Sequence, residues 1–162
     1  FNTTLSIAGG CVILFFLFLP TLFYRHSTFG LSLLVALLGI YAGYCYIGIG
    51  WVPWDINYWG HLSYVKNGFL AFLGMSILYT IAIFFHPQYP NRYAYVLLFF
   101  TLILTIQVVI MLFGPRAYRS NDALFLQAVA QKVVVYAEIC CMLWQAYGAW
   151  YLYKKRDLAF RG

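Results

Sequence analysis

Charge is what this sequence has least of. Of its 162 residues, four are Asp or Glu and ten are Lys or Arg, 9% in all. Residues 1–24, 26–54, 67–91 and 93–115 contain no Asp, Glu, Lys or Arg. A soluble domain needs far more polar surface than that, so a water-facing globule is excluded and lipid becomes the expected solvent. Each uncharged run is long enough to cross a hydrocarbon core, which takes about 20 helical residues.

Reaction motifs are missing as well. There is no G-x-S-x-G, no H-E-x-x-H, no phosphate loop and no pair of neighbouring carboxylates, which removes the commonest hydrolytic and nucleotide-driven chemistries. The four cysteines, Cys11, Cys45, Cys140 and Cys141, all lie in hydrophobic segments without C-x-x-C or Cys/His spacing, so no metal site is expected. The net charge of +6 is spread over segment ends and forms no phosphate-binding surface, so nucleic acid is not an expected partner. A bis-His haem needs two facing ligands. His26 and His86 fall in turns and His61 falls in a loop on the opposite side, so haem is not expected either.

What remains is a single polytopic membrane domain over 1–162. The hydrophobic pattern predicts an all-α bundle of five transmembrane helices at about 5–23, 30–50, 68–85, 94–113 and 123–153. A four-span version, with the first segment removed or the second re-entrant, is the alternative. Pro20 sits near the end of the first segment, where a freed carbonyl is tolerable. Gly39 and Gly43 form a G-x-x-x-G pair that lets another backbone approach closely. The loop Trp51–Asn67 carries Trp51, Trp54 and Trp59 with Tyr58 and Tyr64, a density of amphipathic rings that belongs at the headgroup level. Asp55–Lys66 within it is expected to lie as a short surface helix.

With five spans, Arg25, Arg92, Lys154, Lys155, Arg156 and Arg161 share one side, and Lys66, Arg116 and Arg119 share the other. The positive-inside rule then puts the C-terminus in the cytoplasm and the N-terminus outside.

The fifth segment alone carries ionisable residues within its hydrophobic stretch. Gln131, Glu138 and Gln145 are seven apart, nearly two helical turns, and so share one stripe. Lys132 beside them falls at the outer interface and can snorkel to water. A carboxylate in hydrocarbon is costly, so Glu138 should face protein or water. Depth places Tyr44, Gln107 and Glu138 in one outer polar layer, with Gln145 deeper and His61 above. The commoner explanation of such a layer is structural, with Glu138 bonding Gln107 or a tyrosine as interhelical glue. The functional explanation is a quinone-like or lipid ligand, or a proton step, at Glu138.

These features favour a non-catalytic multi-pass subunit of a larger membrane complex. Small residues Gly39, Gly43, Ala130 and Ala137 would serve its close packing, with other integral-membrane subunits and bound lipid as partners. Two alternatives are a quinone-linked or redox subunit with an outer pocket near Glu138, and a small transporter or channel component. The last is weakened because no helix is visibly broken at mid-membrane and no inverted repeat is evident.

Overall fold

A computed structural model describes residues 2–24, 26–116 and 119–161, and the side chains among them other than those of residues 2 and 156–161. Arg25, and the side chains of Arg156 and Arg161 used in the charge count, lie outside the described residues.

The chain forms five helices: α1 (Asn2–Phe23), α2 (Phe29–Trp51), α3 (Tyr58–Phe84), α4 (Arg92–Phe113) and α5 (Asn121–Arg161). All five are long and apolar enough to cross a membrane. Each packs against the next, and α5 returns to touch α1, closing a ring.

α1 and α2 meet through glycine. A Cβ built on Gly9 would lie 2.6 Å from the carbonyl oxygen of Gly43, and one on Gly43 would lie 2.8 Å from that of Gly9. A Cβ on Gly39 would sit 2.3 Å from the Phe16 ring. The G-x-x-x-G pair is therefore occupied by α1 of the same chain and is not exposed to another subunit. Gly10 faces open space, so it is the placement of glycine, and not its number, that makes the seam.

α3 differs from expectation. Its first turn starts at Tyr58, ten residues before the predicted Gly68, and no separate surface helix precedes the span. Asn57 caps it by accepting a hydrogen bond from the Gly60 amide at 2.9 Å. No proline follows Pro53 within this stretch, so nothing interrupts the hydrogen-bond ladder. Gly68 does not act as a break, because it is buried against Cys45, 3.2 Å from where its own Cβ would stand. α5 likewise runs past the predicted Tyr153 to Arg161. Ser120 caps its start by accepting from the Ala123 amide at 3.1 Å, one of the orphan donors of a helix N-terminus.

Inside the ring, Phe16, Phe23, Phe72, Met75, Tyr79, Tyr93, Leu97 and Leu104 are almost wholly buried. Outside, Leu14, Leu37, Phe99, Phe113, Phe125 and Leu143 stand exposed. That pattern suits a chain whose solvent is apolar. At one end, the turn between α3 and α4 folds back into the bundle. His86 is 2% exposed, and its Nδ1 accepts from the Tyr89 amide at 3.1 Å. Its ring lies 4.1 Å from that of His26, which joins the two turns at this end. Burial raises the Tyr89 phenol well above its usual range.

Candidate functional site

The site lies at the opposite end, where α5 and α1 diverge. Among the described residues, the backbone of α5 comes close to that of α4 and, briefly, to that of α1. A cavity of about 370 Å³ occupies the gap. Tyr46 and Ile49 of α2, Val65 and Phe69 of α3, and Val135 and Tyr136 of α5 form most of its wall, with Gln131 and Lys132 also lining it. Most of this lining is apolar, as expected for a pocket that takes an amphipathic molecule.

Tyr46 links the cavity to the interior. Its ring reaches from α2 across the bundle and packs edge-on against Phe72, with centroids 5.6 Å apart. Its hydroxyl donates a short hydrogen bond to Glu138 Oε2. Glu138 is 6% exposed, and Tyr46 is its hydrogen-bond donor among the described residues. The carboxyl group is thus shielded from the surroundings by its own bundle. A phenol that both lines a cavity and holds a buried carboxylate can offer its proton to a ligand or to Glu138, but to one at a time.

The stripe of three polar residues on α5 divides along its length. Gln131 is exposed at the cavity, while Glu138 and Gln145 are buried. The Gln145 amide donates to the Tyr93 carbonyl at 2.9 Å, which ties α5 to α4. Lys132 is exposed. A cation, an amide and a phenol thus line the same cavity.

The proposed polar layer is not assembled. Tyr44 points outward at 53% exposure, its hydroxyl 3.5 Å from that of Tyr64. Gln107 is buried on α4 but has no hydrogen bond to Glu138, and its carboxamide oxygen has no partner among the described residues. His61 does not line the cavity. Its Nδ1 lies 2.7 Å from the Val52 carbonyl, which can only accept, so the proton resides on Nδ1 and the residue pins the end of α2 to the start of α3.

Tyr46 is the residue that reading by depth passes over. The signal for it was the glycine stripe. At about 100° per residue, Tyr46 lies about 60° from Gly43 around the helix and Tyr44 about 100°. Once Gly39 and Gly43 are known to face α1, Tyr46 is the tyrosine nearer the packed face.

Trp51, Trp54 and Trp59 all point outward, Trp59 at 74% exposure. The Trp51 indole donates to Ser6 Oγ at 2.9 Å, tying the start of α1 to the end of α2. Ala130 and Ala137 are half-buried. Ala137 lines a second, mostly apolar groove of about 310 Å³ between α4 and α5. Among the described residues, no three His, Cys, Asp or Glu side chains gather closely enough to hold a metal ion. No protein-family model, curated protein or solved structure matches this chain.

Proposed function

We propose that the chain is a multi-pass membrane protein that binds the head of a quinone-like amphiphile in the cavity between α2, α3 and α5. The supporting observation is the placement of donors on an apolar wall. Tyr46, backed by Glu138, offers a hydroxyl, and Gln131 and Lys132 offer N–H groups in the lining of the same cavity. A ring carrying carbonyls on opposite edges needs donors on both sides and apolar surface between, and its tail needs hydrocarbon to leave into. Lys132 also suits a partly negative head near the membrane surface.

The test is equilibrium binding of decyl-ubiquinone to the purified protein in detergent. Tyr46→Phe should weaken binding about tenfold, the equivalent of one hydrogen bond of about 1.4 kcal/mol. Lys132→Ala should weaken it severalfold. Unchanged affinity in both variants overturns the assignment.

A second reading, the subunit of a larger membrane complex, rests on α5. Its span is the least buried of the five, at 17%, and Leu124, Phe125, Val129, Val133 and Tyr136 stand exposed along its first half. Partner helices would find this surface open, and gentle extraction followed by identification of co-purifying proteins tests it. A stable, homogeneous monomer counts against it. For orientation, the distribution of Lys and Arg supports a cytoplasmic C-terminus. A cysteine introduced near Arg119 of a cysteine-free variant should then label from outside, and one near Arg156 only after permeabilisation.

A further inference from the structure

We infer that the cavity takes up one proton for each acceptor head it binds, and that the proton goes to Glu138. This rests on the binding function just proposed and adds its coupling. Tyr46 has one hydroxyl proton, and in the unliganded chain it is committed to Glu138 Oε2. A carbonyl head cannot donate. When it claims the Tyr46 proton, Glu138 loses its donor while remaining 6% exposed. A buried carboxylate without a donor is a costly state, and the way out is protonation. Neutral Glu138 then donates to the Tyr46 oxygen, and Tyr46 donates to the ligand carbonyl, so every member of the chain is satisfied.

The bookkeeping closes without any redox step. One proton leaves water, one O–H bond forms on the Glu138 carboxyl, and the charge of the pair goes from −1 to zero. The other ionisable groups nearby do not replace Glu138 in this role. From α2 there is Tyr46 itself, and from α5 there are Cys141 one turn along and Lys132 at the cavity. Among the described residues, α1, α3 and α4 present no ionisable side chain to the carboxyl. Lys132 is exposed and makes no hydrogen bond to the carboxyl group among the described residues.

Linkage fixes the sign. The liganded form binds the extra proton, so affinity falls as pH rises through the range where free Glu138 is ionised, approaching tenfold per pH unit. The experiment is calorimetric titration of the purified protein with decyl-ubiquinone at pH 8.5, in two buffers of different ionisation enthalpy, which counts protons directly. The wild type should take up about one proton per ligand. Glu138→Gln should bind with no uptake. Tyr46→Phe should also show none, because Glu138 lacks a donor before and after binding. Binding without uptake in the wild type overturns the coupling and leaves the binding site standing. Uptake that persists in Glu138→Gln overturns the assignment to this residue. Absence of binding in all three proteins overturns both the site and the coupling.

Discussion

The seam between α1 and α2 and the gap beside the first half of α5 are built from opposite materials. In the seam, Gly9 and Gly43 bring two backbones so close that neither position has room for a Cβ. Beside α5, Gln131, Lys132 and Tyr136 project long side chains from a half-helix that has no glycine of its own, and the helix stands away to leave a cavity that Gly68 of α3 also lines. The single glycine of α5, Gly148, lies in its second half, where Tyr93 and Tyr89 press against it. Between apolar helices in lipid there is no hydrophobic drive, and close packing depends on small residues. Where only one of the facing helices carries glycine, space remains for something else.

The sharpest way to break this contrast is to thicken the seam. Gly43→Val should destabilise the protein by about 3 kcal/mol or more, since overpacking against backbone finds little relief. Gly10→Val, facing open space, should change stability by less than about 0.5 kcal/mol. Unfolding in detergent followed by circular dichroism measures both, and equal effects would remove the distinction between the two glycines.

The strut across the gap comes next in size. Tyr46→Phe should cost about 1–3 kcal/mol by leaving Glu138 without its donor. Glu138→Gln keeps a partner for the phenol and should cost less than about 1 kcal/mol. If the order is reversed in the same unfolding assay, the phenol is not what stabilises the carboxyl group.

Gly148→Ala probes the tight half of α5. The added methyl would meet the Tyr93 ring at 2.7 Å and the Tyr89 hydroxyl at 2.9 Å, both side chains that can shift, so a loss of about 1 kcal/mol is expected. Smallest of all is Lys132→Ala in the loose half, which should leave stability within about 0.5 kcal/mol while weakening ligand binding. A melting temperature lowered by Lys132→Ala would mean the cation supports the fold.

The first four helices were legible because uncharged runs and charged breaks alternate along the chain, and the fifth because its apolar stretch is long despite Lys132 and Glu138. The start of α3 was not legible, because aromatic side chains such as Trp54 and Trp59 mark an interface without saying whether the backbone beneath them is loop or helix. Glu138 drew attention through the cost of charge in lipid. Its partner did not, since depth in the membrane ranks Tyr44 and Tyr46 alike and only the direction each faces separates them. Direction follows from packing, and α2 advertised its packed side through Gly39 and Gly43. The meeting of His26 with His86 could not be read at all, because it depends on how two separate turns fold over one end of the bundle.

The hydrogen bond from Tyr46 to Glu138 spans 92 positions of sequence and joins two helices whose backbones do not otherwise come close. During synthesis the first four helices therefore emerge before the residue that completes this crossbar exists. The fifth must then arrive with an acidic group that has no companion until it docks. Docking of α5 is in this sense the step that completes the crossbar, and a phenol waiting on α2 is the feature that receives it.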